Sequence, residues 1–166
     1  QAAALSIFKA PGVLDERGDL LSEIASEILG GSSGLVFELA REKLALAYSA
    51  GAAGVAGLSS GALYFYALTK RKNLGRIREV FLLCAEKMRA GDFDGRRVLQ
   101  AAQAIKARLA FSASDAGSSA MRLALDALFG RDLRADAALR YGGLSKPDIL
   151  EFSEKYLGEC MEFSLE

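Results

Sequence analysis

The chain has 166 residues, of which 51% are hydrophobic and 25% are charged, as expected of one folded globular domain rather than a disordered segment. Its 21 lysines and arginines balance 21 aspartates and glutamates, so no net charge attracts nucleic acid or an anionic membrane, and we expect neither partner. The sequence contains no histidine, which excludes Ser-His-Asp and Cys-His nucleophile systems and every His-containing zinc motif.

The N-terminal part of the chain predicts one strand and two helices. Residues Ala3–Ala10 are short and apolar and end at a Pro-Gly turn, which is typical of a strand. From 15 to 29 apolar residues recur at helical spacing, and Gly30-Gly31 provides the C-terminal stop. Ser32-Ser33 can cap a second helix that runs to about Leu44.

The next segment, from Leu44 to Thr69, carries no charged residue and is long enough to span a bilayer if it is helical. Its glycines, its serines and the aromatic run Tyr64-Phe65-Tyr66 favour a buried β-hairpin instead. We expect the two strands near Ala47–Gly57 and Ala62–Thr69, and no membrane span.

The remainder of the chain is mostly helical in pattern. Helices are predicted at Leu74–Ala90, Gly95–Phe111, Ser118–Phe129 and Ser145–Tyr156. Cys84 lies within an apolar stripe, as a core residue would, and Cys160–Leu165 alternates like an edge strand. Because a hairpin requires antiparallel pairing and helices outnumber strands, the expected class is α+β, an antiparallel or mixed sheet with helices packed on one face.

Two loops and one pair of side chains are candidate sites. The loop Gly30–Gly34 precedes a helix and could bind phosphate at the helix N-terminus, or could simply be a turn between helices, since it lacks the P-loop lysine. The basic run Lys70–Lys72 is typical of a solvated turn. Arg41 at a helix end and Tyr48 at the mouth of a strand can point a guanidinium and a phenol at one place, where both can donate to a peptide carbonyl. A surface arginine and a half-buried tyrosine are the alternative.

The segment 28–49, ILGGSSGLVFELAREKLALAYS, resembles the C-terminal domains of the pitrilysin and insulinase family of zinc metallopeptidases. The shared pattern is I-L-G-G, small residues, L-(V/F)-F-x-L-R-E-K and then L-A-Y-S. The similarity extends along nearly the whole chain, from the early strand to the Ser145–Tyr156 helix. Two departures stand out, because Gly34 occupies a position where arginine or proline is common and the helix before Arg41 is one residue out of the family register.

The resemblance implies an architecture and a division of labour. In that family two α+β domains face each other like a clamshell, and one binds zinc through His-x-x-Glu-His and a distal glutamate. The other lacks those residues and contributes an arginine and a tyrosine to substrate binding. The resemblance therefore implies a single inactive domain over residues 1–166, with no catalytic residue and no metal of its own. It implies zinc in a partner domain or subunit, and contact with a substrate peptide through Arg41 and Tyr48.

Other interpretations stay open. The same fold serves as a scaffold in core subunits of respiratory complexes, and an unrelated small-molecule module could use the glycine-serine loop to bind a phosphate or nucleotide. Because Gln1 is not an initiator methionine, we expect the chain to be a piece of a longer protein. Bacterial relatives occur in both cytoplasm and periplasm, and two cysteines are compatible with either compartment.

Overall fold

The computed structural model describes residues 1–130 and 137–165. Within these ranges the strands form one antiparallel sheet with the order β2-β3-β1-β4. The strands are β1 (Ala2–Pro11), β2 (Ala47–Ala56), β3 (Ser60–Thr69) and β4 (Cys160–Leu165). The predicted hairpin and the C-terminal edge strand are therefore confirmed.

The helices follow the predicted order with two differences. They are α1 (Glu16–Gly30), α2 (Leu35–Phe37) continuing directly as a π-helix (Glu38–Lys43), α3 (Leu74–Arg89), α4 (Arg96–Ala113), α5 (Ala116–Phe129), α6 (Ala137–Gly142) and α7 (Lys146–Tyr156). The sequence pattern did not predict α6, and it predicted one regular helix where α2 and the π-helix stand. Helix α7 begins as expected, because Asp148 accepts hydrogen bonds from the Ser145 amide at 2.8 Å and the Ser145 hydroxyl at 2.6 Å.

The core lies between the sheet and the helices on one of its faces. Along β1, Ala4 and Phe8 are buried while Ile7 is half-buried on the opposite face, the alternation expected of a strand covered on one side. The ring of Phe8 lies 4.9 Å from that of Phe65 in β3, which in turn lies 5.7 Å from Phe81 in α3. Burying one such ring stabilises the fold by about 2 kcal/mol. The predicted α+β class with helices on one face is confirmed, and the sheet is fully antiparallel.

The charge-free stretch between 44 and 69 contains the hairpin of β2 and β3. Among the described residues one helical segment, Glu16–Lys43, has the length and hydropathy of a membrane span, but half of its apolar window is buried inside the domain. A turn at 31–34 also interrupts that segment. These are properties of core helices, and the absence of a membrane span stays a prediction.

Candidate functional site

The glycine-serine loop is a turn that joins α1 to α2. Helix α2 begins at Leu35 with Gly34 in the N-cap position, so the prediction that a serine caps it is wrong. A Cβ atom at Gly34 would lie 2.4 Å from the Leu29 carbonyl oxygen, which explains sterically why a larger residue is absent here. The Gly34 amide donates to the Gly31 carbonyl at 2.7 Å, and Arg97 donates to the Ser33 carbonyl at 2.7 Å. These bonds are those of a turn between helices.

Arg41 lies in the π-helix Glu38–Lys43. The Leu44 amide donates to the Leu39 carbonyl at 3.2 Å, five residues back rather than four. A π turn holds one more residue than an α turn. Ala40, which precedes Arg41 in the chain, is fully buried within it.

The π-helix ends in a left-handed residue. Ala45 has a φ of 48°, and the Leu46 amide donates to the Ala40 carbonyl at 2.8 Å. This bond spans six residues, one more than the six-to-one bond that commonly closes an α-helix, and the left-handed position before it is usually glycine because a Cβ atom is strained there. The turn reverses the chain so that β2 starts beside the helix that carries Arg41.

Tyr48 occupies an irregularity at the start of β2. Ala47 is opposite Thr69 of β3 and Ser49 is opposite Leu68, so Tyr48 is an extra residue in the ladder. Such a bulge turns a side chain away from the regular alternation of the strand. The Tyr48 side chain is 59% exposed as a result.

Arg41 and Tyr48 line the same open cleft, which has a volume of about 570 Å³. The Arg41 guanidinium lies 5.1 Å from the centroid of the Phe37 ring, one turn earlier. Within residues 1–130 and 137–165, no ion pair or hydrogen bond engages the Arg41 guanidinium or the Tyr48 hydroxyl. Both side chains thus lie in one cleft, and their role in binding stays a prediction.

The second wall of the cleft comes from the end of β3 and the start of α3. Its side chains are Lys70, Lys72, Asn73 and Arg76. The Leu46 carbonyl accepts hydrogen bonds from the Thr69 hydroxyl and, at 3.1 Å, from the Asn73 amide. These bonds hold the basic turn against the loop that precedes Tyr48. Sequence reasoning treated the basic run as a solvated turn and missed Arg76, although hairpin pairing alone places the end of β3 beside the start of β2.

One acidic group near the cleft, Glu38, is paired with two cations. Glu38 contacts Lys43 at 2.7 Å and Arg97 of α4 at 2.9 Å. The hydrogen bond from Lys43, together with that from Arg97, lowers the pKa of the Glu38 carboxyl despite its partial burial. Burial raises the pKa of the Cys84 thiol to about 12. Cys84 is fully buried in the core, as predicted.

The described residues do not fit a zinc site. Over 1–130 and 137–165, no three His, Cys, Asp or Glu side chains are grouped so that they could hold a metal ion. The sequence has no histidine, and its only two cysteines are Cys84 in the core and Cys160 in β4. The donor set is therefore unsuited to a catalytic zinc, which needs three clustered protein ligands.

The described residues form a one-sided α+β sheet with an open cleft lined by hydrogen-bond donors. Residues 1–105 match the family model described as the Peptidase M16 inactive domain. The chain belongs to this family, which confirms the resemblance to pitrilysin-like peptidases. No curated protein sequence matches the chain with significant similarity.

Solved structures share the fold at low sequence identity. A protease from Helicobacter pylori is 16% identical with a TM-score of 0.85 over 99% of this chain, which spans 41% of that protein. The inactive peptidase domain of a proposed zinc protease from Bordetella parapertussis is 15% identical with a TM-score of 0.81, covering 99% of this chain and 92% of that one. A chain of complex III2 from Candida albicans is 16% identical with a TM-score of 0.81, covering 98% and 42%.

Proposed function

We propose that this chain is the non-catalytic, substrate-binding half of a zinc metalloendopeptidase, in which Arg41 and Tyr48 bind the backbone of the peptide substrate. The observation that carries the proposal is the cleft that both donors line, neither of them hydrogen-bonded or ion-paired to another described residue. Inactive domains of this family pair with catalytic ones, and the zinc would be held by that partner domain or subunit. The chain spans only 41% of the Helicobacter pylori protease, a length compatible with a second half.

The two side chains suit a peptide backbone for different reasons. Arg41 offers several N–H donors in a planar fork, and Tyr48 offers a single hydroxyl on a rigid ring. Substrate carbonyls placed between them would receive hydrogen bonds from both the helix and the bulged strand. Two such contacts fix the direction of an extended peptide, so that the bond to be cleaved is presented to the partner domain.

The test compares variants of the full assembly, purified with its zinc-containing partner. Arg41→Ala and Tyr48→Phe are expected to lower kcat/KM for peptide hydrolysis by roughly tenfold or more, since each removes a hydrogen bond to the substrate. The melting temperature should change little, because both side chains are exposed. Arg89→Ala is a matched control, because Arg89 is exposed on α3 and lies thirteen residues, about 20 Å, beyond Arg76 along the same helix.

Unchanged kcat/KM in both cleft variants would contradict the assignment of these residues. A fall in activity that matches a fall in melting temperature would also contradict it, because unfolding would then explain the loss. Activity of the wild-type assembly should disappear with a zinc chelator and return with added zinc.

A structural role is the second candidate, supported by the shared fold of the complex III2 chain from Candida albicans. It predicts an assembly that contains this chain, lacks peptidase activity and loses its integrity when the chain is removed. Arg41→Ala would then have no measurable effect, since an exposed donor without a ligand contributes little to stability.

A further inference from the structure

The cleft is lined by cations without any carboxylate. Four of its side chains, Arg41, Lys70, Lys72 and Arg76, are positively charged, and none of its other lining residues is acidic. The chain as a whole has equal numbers of positive and negative residues, so this concentration is a local separation of charge. The neighbouring cleft around Glu38 shows the ordinary arrangement, in which acidic and basic side chains line the same wall.

The four cations also lack acidic partners among the described residues. Within the described residues none of them forms an ion pair, whereas Lys43 and Arg97 both reach Glu38 nearby. Unpaired like charges brought together raise the electrostatic potential of a surface and disfavour the folded state slightly. Their presence in one cleft is thus unexplained by folding.

The position of Arg76 is also electrostatically unfavourable. It lies in the first turn of α3, a turn without any acidic residue, where the helix dipole disfavours a cation. The Asn73 side chain at the start of this helix bonds the Leu46 carbonyl and makes no capping bond. The cost of placing a positive charge in this turn is offset if the charge binds an anionic ligand.

Building on the proposed function, we propose that this cleft selects peptide substrates carrying acidic side chains, whose carboxylates are bound by Lys70, Lys72 and Arg76. Arg41 and Tyr48 hold the backbone on one wall, while the three cations on the facing wall receive Asp or Glu side chains of the same peptide. The Leu46 carbonyl, bonded to both Thr69 and Asn73, fixes the distance between the walls. The ammonium and guanidinium groups are exposed, so the preference falls as salt screens them.

The test measures binding of matched peptides to the full assembly by fluorescence anisotropy, with the zinc chelated so that no peptide is cleaved. One peptide carries Asp and Glu, its partner carries Asn and Gln at the same positions, and both have acetylated and amidated ends so that only side chains differ. Wild-type protein is expected to bind the acidic peptide roughly tenfold more tightly in low salt, and this ratio should approach one near 1 M salt.

Two double variants carry the same change of charge in different places. Lys70→Glu with Lys72→Glu should abolish or invert the preference for the acidic peptide. Arg89→Glu with Lys106→Glu, on residues that do not line the cleft, should leave it unchanged. An unchanged ratio in the cleft variant, or an equal loss in both variants, overturns the proposal.

The outcomes separate this inference from the proposed function. If Arg41→Ala and Tyr48→Phe leave peptide hydrolysis unchanged while the cleft charges still set the acidic preference, the assignment of the backbone-binding pair fails and the selectivity stands. If those two variants lower hydrolysis but charge reversal at Lys70 and Lys72 leaves the ratio intact, the selectivity fails and the proposed function stands.

Discussion

Glu38 and Arg41 lie one turn apart in the same π-helix but have opposite surroundings. The Glu38 carboxylate contacts Lys43 and Arg97 and so ties the helix to α4. The Arg41 guanidinium contacts the ring of Phe37 and faces an open cleft. A charge whose partners are all internal contributes to folding, whereas a charge among others of its own sign is available for a ligand. One short helix thus separates a cluster of ion pairs from an open cleft lined by cations.

The largest effect expected from this comparison is on stability. Glu38→Gln should lower the free energy of unfolding by about 1 to 2 kcal/mol, because Arg97, whose side chain is only 26% exposed, loses its charged partner. Arg41→Gln should change it by less than about 0.5 kcal/mol. Urea denaturation of both variants checks the difference, and equal losses would show that the two regions do not differ as described.

The same pair of variants predicts a difference in pH dependence. The folded-state pKa of Glu38 is lower than its ordinary value of 4.5, so its stabilisation is present above that value and is lost as the pH falls through the folded-state pKa. The stability gap between wild type and Glu38→Gln should therefore close on acidification. Arg41→Gln should show no change in its gap over the same range. A gap for Glu38→Gln that stays constant down to about pH 2 would contradict the ion pairs.

A smaller effect is expected at Ala45, where the helix turns toward Tyr48. Ala45→Gly should raise the free energy of unfolding by about 0.5 to 1 kcal/mol, because glycine adopts the left-handed conformation without strain. The effect should add to that of Glu38→Gln, since the substitution removes none of the Glu38 contacts. Urea denaturation of the double variant measures whether the two effects add. A loss of stability in Ala45→Gly alone would contradict backbone strain at Ala45.

The smallest expected effect, that of Arg76→Glu, is a gain in stability together with a loss in peptide binding. Arg76→Glu should raise the free energy of unfolding by roughly 0.5 kcal/mol, because an acidic side chain suits the first turn of α3. The same variant should weaken binding of the acidic peptide. Thermal denaturation and anisotropy on one protein preparation test both signs, and a parallel loss of stability and binding would indicate a structural role for Arg76.

Most of the fold could be predicted because periodicity reports burial directly. The alternation in β1 and the spacing of Ile77, Phe81 and Cys84 in α3 are determined by which side faces the core, and the structure buries them accordingly. The π-helix could not be predicted in the same way. Its hydrogen bonds reach five residues back along the chain instead of four, and a buried alanine such as Ala40 fits an α-helical pattern equally well.

The cleft was predictable only on one wall. Arg41 and Tyr48 belong to a local sequence pattern, and the structure brings them to one cleft, although their role in binding stays a prediction. Lys70 and Arg76 join them through strand pairing, which is a long-range contact that no local pattern records. The bulge that exposes Tyr48 depends on register between β2 and β3 and was likewise hidden in the sequence.

The Leu46 carbonyl links the two walls of the cleft. Because Thr69 and Asn73 both donate to this oxygen, the two backbone segments that form the walls move together. If a peptide binds in the cleft as proposed, it would then restrict side-chain rotamers more than the backbone. The entropy lost on binding would be correspondingly small, as in a preorganised receptor.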